Sequence, residues 1–206
     1  MDTFSVGSAI RFGWETFKKR PWFFIGAILC VFVASWIGSA AASAFGNEGA
    51  GAFAGALINA TVGFLVGMGE VAFFLKAARD PASVSIPDLW HPRPFWKYVG
   101  TAILTALVVV IGLILLIVPG IIFALMFMFG YYFVIDKNLG PIEALKSSKR
   151  ITKGHLGKLA LFALAIAGLN LLGVVCLIVG LLVSMPVSML AMARAYIVLS
   201  GSSQNA

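Results

Sequence analysis

Two side chains can do chemistry inside an otherwise apolar setting. Glu70 and Arg194 are the charges well inside long apolar runs, each about six residues, or roughly 9 Å at 1.5 Å per residue, from the polar end of its run. An isolated charge in hydrocarbon costs at least about 2.5 kcal/mol, so an acid and a base at matching depth are expected to pair. Such a pair can lock two helices together, or it can serve as a proton or substrate site; pairing already offsets most of the burial cost, which favours the structural role. Asn170, in the middle of another apolar run, is expected to hydrogen-bond across helices.

Other reactive types are sparse. His91 and His155 stand among basic residues with no second His or Cys at ligand spacing, and no nucleophile elbow, phosphate loop or HExxH motif occurs. No catalytic, metal or cofactor-binding residue is therefore assigned, and a non-enzymatic protein without a cofactor is expected. Cys30 and Cys176 fall in apolar runs at depths that differ by roughly 18 Å, too far for a disulfide within one subunit.

The elements that must position these residues follow from composition. The 206 residues are 61% hydrophobic and 11% charged, with a mean hydropathy of +1.01, whereas soluble domains are about 25% charged. Lipid offers no partner for a bare backbone, so the apolar runs must be spanning helices. Six are expected, near 22–45, 52–77, 97–118, 120–136, 157–182 and 185–200. Pro119-Gly120 and Ser184-Met185-Pro186 read as tight turns, and Gly46 to Gly51 as a glycine-rich one. The run from Trp22 to Phe45 exceeds a signal-peptide core, so cleavage is not expected.

The net charge of +7 is not a nucleic-acid signal. Of the 15 Lys and Arg, 14 lie within 1–20, 76–97 and 136–158, all of which fall on one side of a six-span topology. This is positive-inside bias, and it is expected to put both termini of a multi-pass membrane chain in the cytoplasm.

Three hairpins repeat. The junctions Lys19-Arg20-Pro21-Trp22, Arg93-Pro94-Phe95-Trp96 and Lys153-Gly154-His155-Leu156 align with small residues at Gly26, Gly100 and Ala160, and with Gly7, Pro81 and Pro141 upstream. The second helix of each pair registers through Met68-Gly69-Glu70, Met128-Phe129-Gly130 and Met192-Ala193-Arg194. The expected fold is an all-α, polytopic, pseudo-threefold bundle of parallel repeats, one transmembrane domain over 1–206 with hairpins at about 1–78, 79–138 and 139–206. Short interfacial amphipathic helices on the cytoplasmic side are expected to precede the hairpins. In residues 4–20 the stripe Val6, Ile10, Trp14 and Phe17 is expected to face lipid. Gly63-x-x-x-Gly67 reads as close helix packing.

The basic clusters can also hold anionic lipid headgroups, through Lys18, Lys19, Arg20, Arg93, Lys97, Lys146, Lys149, Arg150 and Lys153, or serve only for orientation. Gly13-Trp14-Glu15-Thr16-Phe17-Lys18-Lys19, and the run from Val118-Pro119-Gly120 through Asp136-Lys137-Asn138-Leu139-Gly140-Pro141-Ile142-Glu143-Ala144-Leu145-Lys146 to Thr152-Lys153-Gly154-His155, carry a further signal. In these the chain resembles uncharacterised six-helix bacterial membrane proteins related to the membrane domain of some glycerophosphodiester phosphodiesterases. In the fused enzymes the catalytic barrel is a separate soluble domain, so no phosphodiesterase activity carries over.

The function expected is that of a partner or modulator of membrane or lipid-handling machinery, with membrane lipids and a protein in the membrane as partners and nucleic acid excluded. The alternative is a small permease or channel whose path runs past Glu70 and Arg194. A hydrated central cavity would mark the second, a packed axis the first.

Overall fold

The computed structural model describes residues 4–46, 48–90, 94–176 and 179–201. It is all-helical, with six helices long and apolar enough to cross a membrane. In order these are α2 (Pro21–Ser43), α3 (Gly49–Arg79), α4 (Phe95–Leu115), the pair α5 (Ile117–Phe127) and α6 (Gly130–Lys137) that together make one crossing, α8 (Leu156–Val175) and α9 (Leu181–Ser200). Two further helices, α1 (Val6–Lys19) and α7 (Pro141–Thr152), and a 3₁₀ turn at Ile86–Leu89, lie in the polar stretches.

Apolar composition alone sets the number of spans, but backbone contacts set where they turn. The third and fourth spans turn at Leu116, which is extended, and Pro119 falls in the first turn of α5, where a missing N–H costs nothing. The expected boundary at Pro119-Gly120 is thus moved by three residues. Gly120 is instead a contact: a Cβ on Gly112 would press on its backbone, so the hairpin closes because both positions are glycine. Likewise α8 ends at Val175 rather than 182, and α9 starts at Leu181 with Pro186 inside it, while Gly173 and Gly180 approach closely.

The fourth span is broken at Met128 and Phe129. Backbone groups opened inside a membrane must find partners within the protein. Here α7 supplies them: the Phe129 N–H donates to Ser148 Oγ at 3.2 Å, and the Ser148 hydroxyl donates to the Met126 carbonyl at 2.8 Å. Thr152 Oγ1 also reaches the Met126 carbonyl, at 3.3 Å.

Each of the three polar segments packs on a different set of spans. The segment before the first hairpin, α1, lies on α9; the 86–89 turn before the second lies on α3; and α7, before the third, lies on α4, α5 and α6. The α1 face that meets α9 shares only Phe17 with the Val6, Ile10, Trp14 and Phe17 stripe expected to face lipid. It is Ala9, Gly13, Thr16 and Phe17, with Gly13 directly against the Val187 carbonyl and Ala191, because small residues allow the two backbones to approach. Trp14 remains exposed. Where α3 meets α2, the small residues in contact are Gly38 and Gly55; Gly63 faces open space, and Gly67 takes the Tyr98 hydroxyl.

Two buried clusters hold the helices. One, around Phe24, Phe73, Phe74 and Leu190, joins α2, α3 and α9; the other, around Met68, Phe129, Tyr132, Phe133 and Tyr196, joins α3, α6 and α9. The outer surface is apolar in turn, with Trp22, Trp36, Ile114 and Leu164 among many exposed side chains, as a surface in contact with lipid requires.

Candidate functional site

The strongest polar cluster sits at the basic end of α3, α6 and α9. Asp136 lies one residue before the end of α6, and its carboxylate receives the Arg79 guanidinium from α3 on one oxygen and the Tyr196 hydroxyl from α9, at 2.8 Å, on the other. The Asp136 side chain is only 9% exposed, so its two donors replace solvent. Tyr196 is fully buried, stacked on Tyr132 and edge-on to Phe133. Three helices are thereby tied through one carboxylate.

Next to this cluster, Lys76 pairs with Asp88 at 2.9 Å, fastening the 86–89 turn to α3. Burial alone would push the Asp88 carboxyl up; hydrogen bonds from Lys76 and from the Ser85 N–H and hydroxyl outweigh it and hold the group below the ordinary carboxylate range. A cleft of about 280 Å³ opens between these groups, walled by Lys76, Arg79, Asp88 and Asp136. The arrangement can fix helix ends and hold charge. Among the described residues no group of three or more His, Cys, Asp or Glu can hold a metal ion.

Glu70 and Arg194 do not meet. The ion pairs of the described residues are Arg11–Glu15, Lys76–Asp88 and Arg79–Asp136, and the expected Glu70–Arg194 pair is not among them. The reason is rotation about α9. Val187, Ala191 and Arg194 lie on the one face that takes α1, so the Arg194 guanidinium rests 5.0 Å from the Phe12 ring centre, beside a cleft of about 400 Å³ that also contains Ser8, Arg11 and Glu15. Glu70, half-buried on α3, has Tyr98 and Tyr132 as its electrostatic neighbours. Two residues beyond Arg194, on the opposite side of α9, Tyr196 reaches the Asp136 carboxylate of α6.

Asn170 does bond across helices: its amide donates to Ser188 Oγ at 3.1 Å and accepts from the Ser184 hydroxyl at 2.9 Å. Both cysteines are free and exposed.

The expected headgroup residues divide by how they are engaged. Arg20 donates to the carbonyls of Pro81 at 3.1 Å and Val84 at 3.4 Å and covers the Phe23 ring; Lys97 donates to the Asn138 carbonyl at 2.8 Å. These two brace connectors. Lys18 lies over the Trp14 ring at 5.6 Å, and Lys19 is exposed. On α7, Lys146, Lys149 and Arg150 project from the face opposite Ala144, Ser148 and Thr152, with exposed Lys153 just after it, and Arg150 also touches Ser147 Oγ at 3.3 Å. Arg93, like His91, lies outside the described residues.

Comparison with known proteins adds relatives but no activity. No family model matches the chain, and no solved structure does. The uncharacterized protein Rv2560 of Mycobacterium tuberculosis (strain ATCC 25618 / H37Rv) is 28% identical over 225 aligned residues, which cover 96% of this chain and 69% of the relative. The uncharacterized protein Mb2590 of Mycobacterium bovis (strain ATCC BAA-935 / AF2122/97) is 27% identical over the same shares. These comparisons show no link to the glycerophosphodiester phosphodiesterases. The chain is thus similar, nearly end to end, to uncharacterized mycobacterial proteins, and its six apolar helices agree with a multi-pass membrane protein.

Proposed function

We propose that this protein is a non-enzymatic component of a bacterial cytoplasmic membrane, a partner or modulator of lipid-handling machinery that engages anionic headgroups through its basic rim, with both termini cytoplasmic. The observation that carries the reading is the two-sidedness of α7, which buries Ala144, Ser147, Ser148 and Thr152 against the broken span while Lys146, Lys149 and Arg150 stay exposed. Each basic residue at an anionic surface contributes about 1 kcal/mol of attraction. A likeness to phosphodiesterase membrane domains fits the same reading.

The architecture proposed is three like-oriented hairpins around a pseudo-threefold axis, with α1, the 86–89 turn and α7 as interfacial segments. Its support is the cyclic order of contacts, in which each connector leans on the second helix of a hairpin it does not itself begin. Against a permease path stands the packing where α3, α6 and α9 meet: Met68, Phe129 and Tyr196 are fully buried there.

Native mass spectrometry after gentle extraction tests the headgroup reading. The wild type is expected to retain anionic lipid that Lys149→Gln/Arg150→Gln/Lys153→Gln loses. Absence of anionic lipid from the wild type, or equal retention in the variant, overturns it.

A further inference from the structure

The 86–89 turn does more than connect α3 to α4. A Cβ on Gly69 would overlap the Leu89 carbonyl oxygen, so the turn lies directly on the α3 backbone. Gly69 is ten residues before Arg79, roughly 15 Å along the helix from its basic end. The connector therefore runs back along α3, and its apolar side chains lie beside the span. There Leu89 and Trp90 close one side of a groove of about 420 Å³ whose other walls are Cys30 and Ala34 of α2 and Val62 and Val66 of α3.

Every wall of this groove is apolar, and Trp90 is 68% exposed at its edge. Two basic groups hold the same connector: Arg20 on the carbonyls of Pro81 and Val84, and Lys76 on Asp88. Lys76 is neutralised by Asp88, but among the described residues Arg20 bonds only neutral carbonyls, and an apolar slot beside such a guanidinium has the layout of a phospholipid site. A docked helix fits poorly, because one turn with its side chains, about 10 Å wide and 5.4 Å long, already fills a volume of this order. A pocket of a few hundred Å³ suits a slender ligand.

We infer that this groove is a binding site for one acyl chain of a phospholipid that stays with the protein when the surrounding lipid is removed. The site needs only the membrane-spanning reading of the six helices, and it does not depend on the basic face of α7.

The test uses two single-tryptophan proteins. Both carry Trp14→Phe, Trp22→Phe and Trp96→Phe; one adds Trp36→Phe and so reports from Trp90, the other adds Trp90→Phe and reports from Trp36, which is exposed on α2 outside the groove. Each is reconstituted in vesicles of phosphatidylglycerol and phosphatidylethanolamine with brominated acyl chains, which quench tryptophan on contact, and is then extracted in mild detergent. Trp36 is expected to recover its emission as surrounding lipid leaves, while Trp90 keeps its loss. Ala34→Phe, or Val66→Phe should the first not fold, fills the groove and is expected to restore Trp90 emission and remove one lipid from the native mass spectrum. The α7 triple variant is expected to leave the Trp90 loss in place. Recovery of Trp90 together with Trp36, persistence of its loss in a folded groove-filled variant, or its disappearance in the α7 variant would each overturn the assignment, as would a second copy or another protein found covering Trp90.

Discussion

The Tyr196 hydroxyl and the Asp136 carboxylate meet at 2.8 Å across the α9–α6 interface, 60 residues apart in sequence, and the opposite carboxylate oxygen holds Arg79 of α3. Removing the carboxylate leaves a guanidinium and a phenol without their acceptor. For a buried pair that loss costs about 3–5 kcal/mol. Arg79 is 37% exposed, and water takes up part of its need, so Asp136→Ala is expected at the lower end of that range. Tyr196→Phe removes one hydrogen bond to a charged group, about 1.5–3 kcal/mol. Unfolding in detergent, followed for both single variants and the double, should give a double-variant loss smaller than the sum; additivity would show that the two side chains act apart.

The opposite outcome is expected for Glu70 and Arg194. One faces Tyr98 and Tyr132 and the other lies on Phe12, so their substitutions to Ala should add to within about 0.5 kcal/mol, as for side chains that share no contact. A coupling well above that value would return the pair to direct contact.

What could be read from the residues in advance was depth, and what could not was rotation. Hydropathy and charge locate Glu70, Arg194 and Asn170 along their helices, and the Asn170 bonds to Ser184 and Ser188 follow from an amide with nowhere else to turn. The facing of α9 is another matter: it is apolar on every side, so no periodic stripe tells the Arg194 side from the Tyr196 side. Asp136 was hidden among the basic residues that mark the rim, although an acid at the end of an apolar span is itself a signal. The break at Met128 and Phe129 has no Pro or Gly to announce it before Gly130, and shows only through the hydroxyls of α7 that serve it.

Those hydroxyls make a prediction of their own. Ser148→Ala strands the Phe129 N–H and removes a donor from the Met126 carbonyl, both inside the protein, and should cost about 1–3 kcal/mol. Ser147→Ala, which loses only a 3.3 Å contact with Arg150, should cost much less. Equal losses in thermal unfolding would mean that the broken span finds other partners.

Acid should loosen the 86–89 turn. The folded Asp88 carboxyl lies below its ordinary value of 3.8, because Lys76 and Ser85 outweigh burial, so the stability it contributes is fully present above that value and is lost as pH falls through the lower folded one. Asp88→Asn should leave the turn without this acid transition. Emission of a Trp90-only protein against pH reads it out, and a transition unchanged in Asp88→Asn would assign it to another group.

Two glycines on α3 separate packing from propensity. Gly69 lies against the Leu89 carbonyl, so Gly69→Ala must push the turn off the helix, and backbone cannot yield as a side-chain tip does; overpacking of this kind costs about 1–3 kcal/mol. Gly63, six residues earlier, has open space where a methyl group would stand, with no other atom within 4 Å, and Gly63→Ala should gain about 0.5–1 kcal/mol from helix propensity. Unfolding of both variants gives the sign, and Trp90 emission should shift only in Gly69→Ala, because only there does the displaced turn carry Trp90 with it. A neutral Gly69→Ala with unmoved Trp90 would mean that the turn is not seated on α3, and the wall it gives to the apolar groove would go with it.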